Sequence, residues 1–368
     1  MNFNSNLLGR ASALFCAASL ALAGCSVRPV GKGGGSGPTS PGGPVRLQGA
    51  GATFPRPLYE KWTSEYGKLN PNARIDYQST GSGAGVNQII AGTVDFGASD
   101  DPVSDDDLKK VQGSELVHIP TVLGAVVVTY NLAGNPELKF SPDVVADIFL
   151  GKIDRWDDAR IRADNPGVSL PAAAITVVAR ADGSGTSAVF TDFLSKVSPE
   201  WQQKVGKGKS PNWPTGQRAK GNEGVVASIK QNPNTLGYTE LIYAEQQKLP
   251  AASIRNAAGA FVKPSLDSIS AAAAASLAQT PDDMRVSITN AAGADAYPVA
   301  SYTYILVYKE QPDAAKGKLL VDFLWWALHD GAPFARALSY APLPAEVRAR
   351  AEAKLNSITS GGRPLRGA

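Results

Sequence analysis

Arg180-Ala181-Asp182-Gly183-Ser184-Gly185-Thr186-Ser187 joins an apolar run, Ile175 to Ala179, to an amphipathic one that begins near Thr186. That order reads as strand, tight turn and helix. The glycines let the backbone turn sharply and come close to a ligand, and the first N–H groups of the helix point back into the turn with the positive end of the helix dipole. An anion fits such a place. Arg180 supplies a forked donor suited to oxyanions, and Ser184 and Thr186 supply hydroxyls. Asp182 has the wrong sign for an anion site unless it holds the arginine.

Three more turns of the same kind precede it. Val45 to Gln48 is a short strand leading into Gly49-Ala50-Gly51-Ala52-Thr53-Phe54-Pro55, after which Leu58, Trp62, Tyr66 and Leu69 fall at near-helical spacing. Arg74 to Gln78 alternates as a strand and runs into Ser79-Thr80-Gly81-Ser82-Gly83, with Val86, Ile89 and Ile90 marking a helix face. Val94 to Ser99 ends at the carboxylate of Asp100, followed by Pro102 and the helix-start composition Ser104-Asp105-Asp106-Asp107. Repeated strand-to-helix turns imply an α/β chain with parallel strands whose ligands collect at the strands' carboxyl ends. Val122 to Tyr130 and Ser301 to Tyr308 are apolar runs suited to crossing between two domains. Trp62, Tyr66, Phe190 and Phe193 read as core, whereas Trp156 and Trp213 are expected near the surfaces of the domains.

At 368 residues, 43% hydrophobic and 19% charged, the chain has the composition of about two globular domains. A formal net charge of +3 without a basic run argues against a nucleic-acid partner. Residues 1–24 carry one charge, Arg10, ahead of an apolar stretch of signal-peptide length. Leu22-Ala23-Gly24-Cys25 resembles a bacterial lipobox, in which Cys25 becomes the lipidated first residue. Residues 25–44 are rich in Gly, Pro and Ser and read as a flexible tether with a reach of about 25 Å. The other cysteine, Cys16, leaves with the signal, so the folded part has neither thiol nor disulfide to rely on.

Hydrolase chemistry is poorly served. Gly183-Ser184-Gly185 lacks the spacing of a nucleophile elbow, and His118 and His329 are the only histidines. No zinc ligand set is in sight, while carboxylate-bound Mg²⁺ stays open. The relaxed dinucleotide fingerprint Gly183-x-Gly185-x-x-Ala188 starts beside an acidic residue in an exported chain, which argues against NAD. No cofactor is expected.

Gly49 to Pro55, Thr93 to Asp100, Gly151-Lys152-Ile153 with Trp156-Asp157-Asp158, Arg180 to Ser187 and Lys220-Gly221-Asn222 together resemble the phosphate-binding protein of bacterial phosphate ABC transporters. The resemblance covers residues 45–360. It implies a two-lobed periplasmic-binding-protein fold of type II, each lobe a mainly parallel sheet flanked by helices, with two crossover strands between them. Lobe 1 is then residues 45–128 and 298–368, and lobe 2 residues 129–297. It also implies a phosphate site made of Thr53, Phe54 (through its backbone N–H), Ser82, Asp100, Arg180, Asp182, Ser184, Gly185 (backbone N–H) and Thr186. Ser79-Thr80 ahead of Gly81 departs from the family's pattern. The expected protein is a monomeric binding subunit and not an enzyme, held in the periplasm or at the cell surface by its lipid, that hands inorganic phosphate to a permease and ATPase complex. A binder of another tetrahedral oxyanion such as sulfate or molybdate, or an exported phosphoester hydrolase, is the alternative.

Overall fold

The computed structural model of the chain describes residues 43–366. The expected signal peptide, the expected lipidation site Cys25 and nearly all of the expected tether lie outside the described residues. The chain enters through β1 (Val45–Gly51), α1 (Arg56–Leu69), β2 (Ala73–Ser79), α2 (Ser82–Ile90), β3 (Phe96–Ser99) and α3 (Asp105–Leu108), then runs into the long β4 (Leu116–Asn131). Next come β5 (Lys139–Phe140), α4 (Pro142–Phe149), α5 (Ala159–Asp164) and β6 (Thr176–Arg180). They are followed by α6 (Gly185–Val197), α7 (Pro199–Lys204), β7 (Gln217–Ala219), α8 (Gly221–Gln231), β8 (Thr235–Glu240) and α9 (Leu241–Gln246). β9 (Ser253–Arg255), β10 (Phe261–Val262) and α10 (Leu266–Ser276) precede β11 (Ala300–Tyr308). The chain closes with α11 (Ala314–Leu328), α12 (Ala332–Ala337), α13 (Ala345–Asn356), β12 (Thr359–Ser360) and β13 (Arg363–Pro364). Among the described residues no helix is long and apolar enough to cross a membrane.

Eight strands make one sheet in the order β2-β1-β3-β11-β4-β8-β6-β7. At either end the pairs are parallel: β1 with β2 and β3, and β6 with β7 and β8. In the middle β11 and β4 run antiparallel to their neighbours. β4 is buried along nearly its whole length, as its largely apolar sequence suits in a strand covered on both faces. It also changes partner. Residues Leu116 to Ala125 pair with β11, and Val126 to Asn131 pair with β8, so this strand carries the chain from one half of the sheet into the other. That is the crossing expected of the Val122 run; the Ser301 run corrects its expectation, since β11 pairs only with β3 and the first part of β4 and stays in one half of the sheet.

Pro120 has no N–H to give to the ladder, and the pairing of β4 with β11 slips there: Thr303 faces Val122 while Tyr304 faces Pro120. The hydroxyl of Thr121, the extra residue, donates to the Thr303 carbonyl at 3.1 Å. This bulge lies beside Asp100, whose main chain follows β3.

Trp156 and Trp213 correct the expectation of a surface position, being 0% and 7% exposed. Trp156 donates its Nε1–H to the Asn234 carbonyl at 3.0 Å, and Trp213 stacks on Tyr238 with ring centroids 5.3 Å apart. Both lie in loops, where no helical or strand period marks which residues face inward.

Gly85 shows how tightly α2 is set on the sheet. A methyl group there would stand 2.5 Å from the Gly51 Cα and within 2.8 Å of the Ala50 and Ala98 carbonyl oxygens. All three are backbone atoms and cannot swing aside. Gly85→Ala is therefore expected to destabilise the fold by about 1–3 kcal/mol, read as a lower midpoint in chemical denaturation with an unchanged slope.

Candidate functional site

The turns that end β1, β3 and β6, together with the one that opens α8, meet between the two halves of the sheet. α1, α2, α6 and α8 all begin there, so the positive ends of four helices are gathered in one region. The approach is close. The Gly83 N–H donates to the Gly183 carbonyl at 2.8 Å, directly linking the turn before α2 with the turn before α6. A methyl on Gly185 would lie 2.4 Å from the Ser82 Oγ and 2.6 Å from the Asp100 Oδ2, and one on Gly81 would lie 2.5 Å from the Asp182 Oδ2.

Arg180 closes β6 with its side chain 1% exposed. Asp182 grips it with both carboxylate oxygens, Nε–H to Oδ1 at 2.9 Å and Nη2–H to Oδ2 at 2.5 Å. The Gly221 N–H adds a bond to the Asp182 Oδ1 at 3.0 Å. Burial pushes the Asp182 carboxyl up, but the hydrogen bonds and charge of Arg180 and the Gly221 N–H outweigh it and hold the group below its ordinary value. The ion pair thus keeps the guanidinium planar and fixed, with Nη1 aimed at the Thr186 Oγ1 at 3.4 Å.

Asn222, at the start of α8, organises the hydroxyls. Its Oδ1 accepts from the Thr239 hydroxyl at 3.1 Å and the Glu240 N–H at 3.3 Å, which sets the amide's orientation. The Nδ2 then donates to the Thr53 Oγ1 at 2.8 Å and the Thr186 Oγ1 at 3.2 Å. Both threonine oxygens are acceptors toward the protein, so each keeps its own proton for something else. Ser184 caps α6, its Oγ accepting the Ser187 N–H at 3.0 Å, and in the same way retains a proton to give.

Asp100 is the exception among these donors. It is 1% exposed, and its Oδ1 accepts from the Thr303 hydroxyl at 2.8 Å. Its Oδ2 has only the Ser82 hydroxyl, at a long 3.4 Å. Burial drives its pKa up to about 7, against the opposing pull of Thr303, the charge of Arg180 and Ser82. It does not serve as the N-terminal charge of α3, which starts five residues later and is capped by Ser104.

Every predicted site residue is thus found here: Thr53, Phe54, Ser82, Asp100, Arg180, Asp182, Ser184, Gly185 and Thr186. All but Asp182 and Gly185 are 3% exposed or less, and Gly185 is buried with them. Sequence reasoning missed Asn222 and Thr303 as members. Asn222 was visible as a polar residue in a fourth Gly-flanked helix start. Thr303 sits in an apolar strand, and only the slip at Pro120 marks it. Among the described residues no group of three or more His, Cys, Asp or Glu side chains is placed to hold a metal ion.

A fold of two sheet halves sharing β4, with a closed polar site where helix starts converge, defines a solute-binding protein, and residues 38–330 match the PBP superfamily domain. The chain belongs to that superfamily. Within it the chain is 46% identical to the phosphate-binding protein PstS of Pasteurella multocida, over 87% of this chain and 93% of that one. It is 42% identical to the phosphate-binding protein PstS of Methanocaldococcus jannaschii, over 92% and 91% of the two chains. The chain is a member of the PstS family. Among solved structures, the phosphate-binding protein from Stenotrophomonas maltophilia shares the fold with a TM-score of 0.64 at 21% identity, over 84% of this chain and 93% of that one.

Because Gly185 meets Ser82 and Asp100 across the site, Gly185→Ala is expected to fold normally but to resist bringing the two halves together. Its thermal midpoint should rise far less on adding a saturating anion than the wild-type midpoint does. An equal rise in both proteins would show that the close approach is not needed for binding.

Proposed function

We propose that this chain binds inorganic phosphate outside the cytoplasmic membrane and delivers it to an ABC-transporter permease. Membership of the PstS family makes it a binding subunit rather than an enzyme. The observation that carries the reading is a buried carboxylate, Asp100, facing a pocket whose other groups are all donors. Phosphate near neutral pH still carries a proton and sulfate does not. The P–OH of phosphate donates to Asp100, while with sulfate two acceptors would face each other without water, a penalty of several kcal/mol.

The remaining oxygens of the anion are assigned to the Arg180 guanidinium, the hydroxyls of Thr53, Ser82, Ser184 and Thr186, and the N–H groups of Phe54 and Gly185. Asp182 cancels the charge of Arg180 while aligning it. Binding then rests on oriented neutral donors and helix starts more than on net charge. Thr303 holds one oxygen of Asp100, which leaves the other for the ligand.

Lobe 1 is assigned to residues 45–128 and 298–368 and lobe 2 to residues 129–297, a division supported by the change of partner along β4. The contacts between Gly83 and Gly183, and between Thr53 and Asn222, then join the lobes in a closed state that the ligand stabilises. At the rim, Lys207 and Lys209 reach Asp101 at 3.1 and 2.7 Å, and Arg56 reaches Glu223 at 3.3 Å. Export, lipidation of Cys25 and tethering by residues 25–44 place a monomer beside its permease. The support for these is the sequence of residues 1–44. Cys25→Ser is expected to stop incorporation of labelled palmitate and to release the protein from the membrane fraction.

Calorimetry on protein stripped of carried-over ligand tests the reading: one site for phosphate and no heat with sulfate at pH 8.5 is expected, and sulfate binding of equal strength overturns it. Asp100→Asn should weaken phosphate modestly and admit sulfate, because an amide can donate where the carboxylate cannot. Arg180→Ala should cost about two orders of magnitude in phosphate affinity.

The raised pKa of Asp100 adds a pH dependence. The carboxyl is protonated below about 7 and ionised above it. A protonated Asp100 can donate to sulfate, placing one proton between carboxylate and anion just as phosphate does. Sulfate affinity is therefore expected to rise about tenfold per unit as the pH is lowered toward 7, and to level off below it. Exclusion of sulfate that is equally strict at pH 5.5 and 8.5 would remove Asp100 from the selective role.

A further inference from the structure

Two tyrosines stand behind the turn between β1 and α1, on the side away from the pocket. The Tyr243 hydroxyl donates to the Thr53 carbonyl at 2.5 Å, and the Tyr340 hydroxyl donates to the Phe54 carbonyl at 2.6 Å. Tyr243 is 6% exposed and Tyr340 is fully buried, the Tyr340 ring lying 6.3 Å from that of Phe54. The two bonds are chemically unequal. The Thr53 carbonyl belongs to the same peptide group as the Phe54 N–H. The Phe54 carbonyl belongs to the peptide that continues into Pro55, which has no N–H at all.

They also come from different places. Tyr340 follows α12 in the half of the sheet that carries the turn itself. Tyr243 lies on α9, directly after β8, and so reaches the turn from the half that carries Arg180 and Asn222. Its bond therefore joins the two halves of the sheet. Among the described residues the Phe54 N–H has no protein acceptor, and it is the donor this peptide offers to the pocket.

We propose that Tyr243 is a positioning residue for anion binding, polarising the Thr53–Phe54 peptide from the opposite lobe so that the Phe54 N–H becomes a stronger donor when the lobes close. This rests on the assignment of phosphate to the pocket. The physical basis is the mutual strengthening of hydrogen bonds in series: a donor at a peptide's oxygen shifts charge toward that oxygen and leaves its N–H more positive. Closure then both assembles the donors and sharpens one of them. Burial, with the nearby carboxylates of Glu223 and Glu240, holds the Tyr243 phenol well above its ordinary pKa, opposed by the charges of Arg56 and Arg180, so it stays an O–H donor at all physiological pH values.

The test uses the full chain labelled with ¹⁵N at phenylalanine, titrated with inorganic phosphate by calorimetry and by NMR of the Phe54 amide. Phenylalanine at position 243 or 340 keeps the ring and removes only the hydroxyl. Tyr243→Phe is expected to weaken phosphate about three- to tenfold, mainly through faster release, and to move the bound-state Phe54 amide proton upfield. Tyr340→Phe, which loosens the same turn without touching that peptide, is expected to leave the amide proton within the spread of the other phenylalanines. A Phe54 amide that is the same in Tyr243→Phe as in the wild type, or that moves equally in both variants, overturns the proposal. Fluorotyrosine placed at 243 alone, a stronger donor of the same shape, is expected to move the amide downfield and tighten binding. It gives the answer even if Tyr243→Phe folds poorly, and an unmoved amide there overturns the proposal as well. Wild-type protein that binds no phosphate sinks the assignment of the ligand, whereas normal wild-type binding with an unaltered Tyr243→Phe sinks only the role of Tyr243.

Discussion

A carboxylate shut away from water is the constraint on which the site depends. Asp100 lies at the end of β3 with one oxygen held by Thr303 and the other given only a distant serine. A buried acceptor left in that condition is unfavourable unless it is protonated or meets a donor. For its Oδ2 the protein supplies only the Ser82 hydroxyl, at a long 3.4 Å. A ligand that brings its own proton would supply what the protein withholds, and on the proposed reading this asymmetry is what would let one anion in and keep another of similar size out.

The other contacts make that arrangement affordable. Arg180 and Asp182 neutralise each other, so the pocket has no net positive side-chain charge to attract anions indiscriminately. Attraction comes from four helix starts and from hydroxyls whose oxygens are already occupied by Asn222 and Arg180. Such donors have fixed directions. They reward an anion of the right shape and do little for one that is merely charged.

Much of this was legible in the chain. Four turns rich in Gly and hydroxyl residues between apolar strands and helical patterns indicated parallel α/β architecture, and Arg180, Asp182 and Asp100 stood out as the charged residues inside them. The largely apolar runs at Val122 and Ser301 both look like crossovers in sequence, but only the first changes partner along its length. What escaped notice depends on register and long-range contact. Thr303 reaches Asp100 because a proline in another strand shifts a ladder, and the β strand itself has no local sign of it. Tyr243 is more than a hundred residues from Thr53, and its hydroxyl is indistinguishable in sequence from any other tyrosine's. Trp156 and Trp213 were misplaced because loop residues have no periodicity to reveal an inward face.

The bond between the Gly83 N–H and the Gly183 carbonyl joins two backbone groups of the protein itself. Together with the rim ion pairs it would favour a shut but empty carrier, which a transporter that recognises shape alone would mistake for a loaded one. The ionisable group at the centre works against that error. With nothing in the pocket, shutting the lobes strips water from Asp100 and returns nothing, so the vacant protein is pressed back toward the open form. On the proposed reading, the residue that would choose the cargo would also report its absence, and wasted encounters at the membrane would be limited by the same desolvated oxygen that would refuse sulfate.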